Sequence, residues 1–304
     1  NINIFKCRTL FNVASAPISI SLQYFLKKII NNYEVIHIHL PNPIVAFYLR
    51  FFKLEKKFIT VHFHADVSKN VGYCFYKYFE SYLLKIASKI VVTTNSLSNI
   101  KVLKKYKTKI VVIPSYLNPS DFKEANKGDP SENVKDILDK RYICFLGRFV
   151  KYKNIPLLIN AFSKLKDDIS LYLIGNGVEH ENIKKLIIKL KLDSKVFILD
   201  SINNQDKRFL LNRALFSVLP STTSAESYGY VQIESMAQGT PVISFDIKNS
   251  GVGEINKNQT GILLEVKNNL EQCKEDLFLA MKTLIKDSKK LNLYSENAYT
   301  ISKQ

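Results

Sequence analysis

The feature that most constrains this chain is its alternation of short β-branched runs with helical stretches. The runs "YEVIHIHL" (33–40), "KKFITVHFH" (56–64), "SKIVVTTN" (88–95) and "TKIVVIPS" (108–115) read as strands. Between them lie amphipathic stretches such as "VAFYLRFFKL" and "YCFYKYFESYLLKIA". Strands apolar on both faces, alternating with helices, predict a parallel sheet covered on both sides. The segment "NPSDFKEANKGDPSENVKD" (118–136) is polar, has no periodicity and reads as a linker. The alternation then restarts with "RYICFLG", helix 155–166, "ISLYLIG", helix 179–192, "KVFILD", helix 205–213, "FSVLPS", helix 231–238 and "PVISFD". "GILLE" and helix 269–286 close the set. The expected architecture is α/β with two Rossmann-like, doubly wound domains: residues 1–120, a linker over 121–140, and 141–304. At 304 residues the chain is comfortable for two domains. Ligands of such domains sit at the carboxyl ends of the strands, here expected in a cleft between the two.

Charge adds a partner class. The net charge is +17, and residues 1–125 hold 18 Lys/Arg against 6 Asp/Glu, a net of +12. This asymmetry suggests an anionic partner for the first half. The basic segment "KVLKKYKTK" (101–109) offers lysine without arginine, which argues against nucleic acid and for an anionic membrane surface. No apolar run approaches the roughly 18 residues that suggest a membrane span, and no signal peptide is read. A cytoplasmic protein peripheral to the inner face of the plasma membrane is the expectation. The four cysteines, Cys7, Cys74, Cys144 and Cys273, are scattered. They read as buried thiols in a reducing compartment, not a disulfide frame or zinc site.

Three loops of the second half carry unusual residues. In "FLGRFVKYKNIP" (145–156), Gly147 ends a strand, Arg148 and Lys153 supply two cations, Asn154 suits a helix cap and Pro156 its first turn. Two cations beside a helix start favour a phosphate or diphosphate. In "LIGNGVEHE" (173–181), Gly175 and Gly177 flank Asn176 and permit close backbone approach to a ligand. It is neither a G-x-G-x-x-G nor a P-loop. In "SVLPSTTSAESYGYVQIE", Glu226 falls on a loop and Glu234 on the helix that begins after Gly229. The backbone N–H groups of Tyr228, Gly229 and Tyr230 at that helix start can bind anionic oxygens. Carboxylates on either side suit sugar hydroxyls.

Those three motifs, in that order over roughly residues 110–290, resemble the nucleotide-sugar-binding half of a retaining GT-B glycosyltransferase of family GT4. The matches are Glu226, Glu234 and "SMAQGTPVIS"; Gly147, Arg148, Lys153 and Asn154; and Gly175 with Gly177. The resemblance implies that Glu234 binds the ribose hydroxyls, that Glu226 contacts the donor sugar near the reaction centre, and that Arg148 and Lys153 neutralise the departing diphosphate. It implies a UDP- or GDP-sugar donor and no cofactor. With no D-x-D in the chain, a metal-independent enzyme is expected.

The first half should then bind the acceptor. "HIHLPNP" (37–43) and "VHFHADV" (61–67) carry four of the five histidines, His37 and His39 on one face and His62 and His64 on one face. A metal held by four imidazoles is conceivable, but no carboxylate or cysteine pattern supports it. His64 matches the histidine that family members carry near the reaction centre, with Asp66 two residues on. His39 is the second candidate. Family members normally begin with a strand and a glycine-rich loop, which this chain is expected to lack, and the closing helix is expected to be cut short at "NAYTISKQ". Asp200 stands where a glycine is usual. The chain accordingly resembles bacterial surface-polysaccharide enzymes that move a hexose to a hydroxyl of a glycan or lipid-linked acceptor. The rival reading is a sugar-nucleotide-binding scaffold without catalysis, and the related sugar-nucleotide epimerases use different carboxylates.

Overall fold

The computed structural model describes residues 3–13, 16–66, 73–117, 129–200, 202–257 and 259–303. The chain divides into two compact units, Asn1–Pro114 and Ser115–Gln304.

Unit 1 opens with an antiparallel pair, β1 (Phe11–Val13) and β2 (Ala16–Ile18), and helix α1 (Ile20–Ile29). Then follow β3 (Val35–Leu40), α2 (Pro43–Leu49), β4 (Phe58–Phe63), α3 (Tyr73–Ile86), β5 (Lys89–Val92), α4 (Asn95–Ser98) and β6 (Ile110–Val112). Strands β3 to β6 form one parallel sheet in sequence order. Helix α2 starts where it does because Asn42 caps it, accepting a hydrogen bond from Val45 N at 3.2 Å, and Pro43 fits the first turn. Ile38, Leu40, Ile59, Val61, Phe63, Ile90 and Val92 form the sheet's share of the unit 1 core. Each such fully buried side chain stabilises by about 1.5–3 kcal/mol. Here the expectation of strands apolar on both faces fails. β3 and β4 alternate, with Ile36, Ile38, Leu40, Ile59, Val61 and Phe63 on the core face and Val35, His37, His39, Phe58, Thr60 and His62 on the other.

Unit 2 contains α5 (Glu132–Leu138), β7 (Tyr142–Leu146), α6 (Ile155–Phe162), β8 (Ser170–Ile174), α7 (His180–Lys189), β9 (Val196–Leu199), α8 (Asn204–Arg213) and β10 (Ser217–Leu219). It continues through α9 (Tyr230–Met236), β11 (Val242–Asp246), α10 (Val252–Ile255), β12 (Gly261–Glu265), α11 (Leu270–Lys286) and α12 (Ser288–Ser302). Its six strands are parallel in the order β12-β11-β10-β7-β8-β9. Both faces are covered, as a parallel sheet requires. Phe145, Leu171, Leu173 and Val218 pack with α6 and α11 residues on one side, while Tyr142, Cys144, Tyr172 and Ile174 pack with α5 and α8 residues on the other. The strand order reverses between β7 and β10, which makes that pair the topological switch point where doubly wound sheets open a ligand crevice.

The linker expected over 121–140 is corrected in part. Residues 118–128 lie outside the described residues, but 132–138 form α5, which belongs to the unit 2 core through Val134 and Ile137. Leu138 packs beside them, so the apolar positions 134, 137 and 138 follow a helical period over a single turn, and a tertiary anchor holds the helix in place. Ser131 donates from N and Oγ to the Asp206 carboxylate at 2.9 and 2.8 Å. The unit boundary falls at Pro114/Ser115, ahead of the expected 120. Residues 115 and 116 are held by unit 2, with Tyr228 Oη and Tyr230 Oη donating to Ser115 O and Tyr116 O, each at 2.9 Å. The last stretch forms α12, fifteen residues long, which packs on α9; Ser295 Oγ donates to Gly239 O, just after α9, at 2.5 Å. The cysteines divide as well. Cys144 and Cys273 are buried, whereas Cys7 is half-buried and Cys74 exposed on α3.

Candidate active site

The loops that leave β7 and β10 meet at the switch point. After β7 the chain turns at Gly147, passes Arg148 and makes a 3-10 turn over Lys151–Lys153 before α6. That turn folds Lys153 inward. After β10 the loop carries Ser221 and Glu226 to the same place. Lys153 Nζ lies 2.6 Å from Glu226 Oε2, and both side chains are only 7% exposed. Ser221 Oγ donates to the same carboxylate oxygen at 3.0 Å, and Ser250 Oγ pins the Glu226 carbonyl at 2.5 Å. A buried charge persists only when paired and hydrogen-bonded, and this pair is both. An ammonium has three donors. One goes to Glu226.

Arg148 stays at the surface, its guanidinium 3.5 Å from the Tyr152 hydroxyl. Among the described residues it has no carboxylate partner. Asn154 sits at the start of α6, but in the left-handed region (φ 51°, ψ 40°) and without capping through its side chain. This corrects its expected role as a side-chain cap: the amide turns instead toward Thr222 Oγ1 at 3.5 Å, on the β10 loop.

Glycines of the β8 loop do a different job from the one expected of them. A Cβ on Gly175, at φ 139°, would lie 2.0 Å from Gly147 O. The two loops are pressed together, with Gly147 N bonded to Ile174 O at 3.0 Å and Phe149 N to Asn176 O at 2.8 Å. Gly175 is therefore required by loop-on-loop packing. The Asn176 side chain turns back on its own loop, accepting from Gly177 N at 2.6 Å. Nearby, His180 stacks on Phe149 and lies 2.9 Å from Asp200 through Nε2.

The two glutamates are placed as the spacing implied. Glu226 is on the loop and Glu234 in the second turn of α9. Between them Gly229 adopts φ 77°, a left-handed conformation that costs L side chains dearly, and it sets the helix going at Tyr230. The first N–H groups of a helix lack intrahelical acceptors. The phenols of Tyr228 and Tyr230 point away to the 115–116 segment, so any part these residues take in anion binding falls to their backbone. Glu234 has a partner that no sequence motif announced: Lys207 Nζ, from α8, lies 2.6 Å from Glu234 Oε1. Both side chains keep some exposure, 24% and 18%.

In unit 1 the register pairs His39 with His62 and His37 with Thr60, which puts all four histidines on one face. His39 Nδ1 is 2.7 Å from His64 Nε2, and His37 Nδ1 is 2.6 Å from Thr60 Oγ1. Burial, reinforced by the neighbouring imidazoles, pushes His64 and His37 below the usual histidine range and takes His62 down to about 4. For His37, His62 and His64 burial disfavours the charged form. Burial raises Glu80 and Tyr73, and the charge of Asp66, which follows β4, adds to both.

Comparison with known proteins bears on family and fold. The family model described as glycosyl transferases group 1 matches residues 130–301, more than half of the chain. The chain belongs to that family. The O-antigen chain mannosyltransferase C of Escherichia coli is 24% identical over 293 residues, which is 96% of this chain and 76% of the relative. An N-acetylgalactosamine-N,N'-diacetylbacillosaminyl-diphospho-undecaprenol 4-alpha-N-acetylgalactosaminyltransferase of Campylobacter jejuni is 32% identical over 171 residues, 56% of this chain and 44% of that enzyme. Among solved structures, Anabaena HepE in complex with UDP superposes with a TM-score of 0.73 at 17% identity, over 93% of this chain and 78% of HepE. A Rickettsia africae glycosyltransferase gives a TM-score of 0.69 at 23% identity, over 93% and 74%. The fold of this group 1 family member is GT-B. Among its described residues, no helix is long and apolar enough to cross a membrane.

Proposed function

We propose that this group 1 glycosyltransferase is a retaining, metal-independent GT4-type enzyme that moves a hexose from a UDP- or GDP-sugar to a hydroxyl of a lipid-linked glycan. The observation that carries the reading is the buried Lys153–Glu226 pair at the β7/β10 switch point, with Glu234 eight residues on. In this reading Lys153 and Arg148 take up the charge that develops on the departing diphosphate, the work a metal ion does elsewhere. Glu226 faces the donor sugar, oriented by Ser221. Glu234, steered by Lys207, accepts from the ribose hydroxyls. Gly147, Asn154, Gly175 and Asn176 shape the phosphate side, with the backbone of Tyr228, Gly229 and Tyr230. His64, His39 and Asp66 serve the acceptor and the sugar. The displacement runs on the front face, with the leaving phosphate as the base for the incoming hydroxyl.

The names of the relatives support a place in surface-polysaccharide synthesis, and the C. jejuni enzyme's name carries a diphospho-undecaprenol acceptor. The net charge of +12 over residues 1–125 supports work at the anionic inner face of the membrane. The test pairs calorimetry with UDP and GDP against a transfer assay on the full-length gene product. Binding with turnover, lost in Glu234→Ala, upholds the proposal. Tight binding without turnover on any of a panel of donors and acceptors supports the scaffold reading instead.

A further inference from the structure

The histidine face of unit 1 holds a second arrangement, which shares His39 with the proposed acceptor side. One nitrogen from each of His37, His39 and His62 lies within 4.8 Å of the others. His37 and His39 are exposed and His62 is half-buried, so the group opens to solvent. His62 Nε2 is itself buried and has no hydrogen-bond partner. A buried polar atom without a partner is rare in folded proteins and calls for an explanation.

The surrounding hydrogen bonds fit the same purpose. Metal-ligating histidines hold their second ring nitrogen with an outer partner, which fixes tautomer and ring orientation. Here Nδ1 of His37 is held by Thr60 Oγ1 at 2.6 Å and Nδ1 of His39 by His64 Nε2 at 2.7 Å. Placing the proton on both Nδ1 atoms makes them the donors and leaves both Nε2 lone pairs bare. Each of the three residues then keeps an imidazole nitrogen free to take a ligand, on two paired strands.

We propose that His37, His39 and His62 bind one divalent cation of the borderline class, zinc or its close analogues cobalt and nickel. An all-imidazole set suits those ions and not magnesium or calcium, which take oxygen ligands. Tetrahedral zinc with nitrogens at about 2.0–2.1 Å sets them about 3.3 Å apart. The three nitrogens therefore close by at most about 1.5 Å, a movement that side-chain rotation of the two exposed histidines supplies. A fourth position stays open to water. The site takes no part in neutralising the diphosphate, which falls to Arg148 and Lys153.

The test is titration of untagged, full-length protein with Zn2+ by calorimetry and with Co2+ by visible absorption, in the absence of donor. The expected result is one ion per chain, bound tighter than about 10 μM. His37→Ala and His62→Phe should each weaken binding at least tenfold. Thr60→Val, which removes only the outer partner of His37, should weaken it by about 10–100-fold. His180→Ala should leave it unchanged. His37→Ala removes an exposed side chain, and its unaltered circular dichroism would show that the loss is not unfolding. No binding by the wild type, binding unaltered in His37→Ala, or binding abolished in His180→Ala would each overturn the proposal. None of these readouts depends on sugar transfer.

Discussion

Replacing Lys153 by Met strands the Glu226 carboxylate in a place where it is only 7% exposed. Methionine fills the volume of the lysine stem, so packing changes little. The carboxylate keeps its bond from Ser221 and loses the ammonium at 2.6 Å. Removing one partner of a buried ion pair costs about 3–5 kcal/mol, whereas replacing both with apolar groups is often neutral. In a unit the size of Ser115–Gln304, each kcal/mol lowers the melting temperature by about 2–4 °C. Lys153→Met should therefore drop the unit 2 transition by roughly 6–20 °C. The double variant Lys153→Met/Glu226→Leu should recover most of that. Differential scanning calorimetry on the three proteins measures it, with hydrogen exchange at β7 and β10 assigning the transition. A Lys153→Met melt within about 2 °C of wild type, or a double variant no better than the single, would refute the stranded-charge argument. The comparison also bears on function. Loss of activity in Lys153 variants is interpretable only beside their melting curves, so Glu234 is the cleaner probe.

Three further expectations follow from the same geometry. Lys207→Ala leaves Glu234 without the cation 2.6 Å away, and in the proposed role of Glu234 it should weaken UDP or GDP binding several-fold in calorimetry; unaltered binding would remove Lys207 from the ribose subsite. Glu80 is buried with Oε1 unpartnered, and burial raises its folded carboxyl above the unfolded value. Its folded form holds the proton longer, so stability is greatest below the unfolded pKa of about 4.5 and falls as pH rises through the folded one. Glu80→Gln should abolish that decline in a melting-temperature series, and a slope unchanged in the variant would assign it elsewhere. Finally, the thiol of Cys144 is pushed up to about 12 by burial alone. A thiol reagent at pH 8 should find Cys7 and Cys74 in the native protein but reach Cys144 and Cys273 only after denaturation.

How much of this was legible in the sequence depended on how local the cause was. The strands and most helices were, because apolar runs and helical periods are local. So was the separation of Glu226 from Glu234, because Gly229 marks the helix start between them. What escaped arose from contacts distant in sequence. Lys207 of α8 meets Glu234 of α9 across twenty-seven residues of chain, a contact only the fold makes. The 132–138 helix depends on Asp206, seventy-five residues away. Gly175 looked like a ligand glycine, and its constraint turned out to be Gly147 of the neighbouring loop. The histidines were legible as two pairs, but alternation within a strand says nothing about register between strands. Only the pairing of His39 with His62 gathers them on one face.

The central claim is that Glu226, Glu234 and Lys153 form a donor site that turns over. The most direct measurement is release of nucleoside diphosphate from a panel of nucleotide sugars by the full-length protein with a lipid-linked acceptor, wild type against Glu234→Ala. The account expects one donor to stand out, and turnover on it to fall at least about a hundredfold in the variant, the loss of a charged hydrogen bond worth roughly 3 kcal/mol. Turnover by Glu234→Ala at the wild-type rate would contradict it.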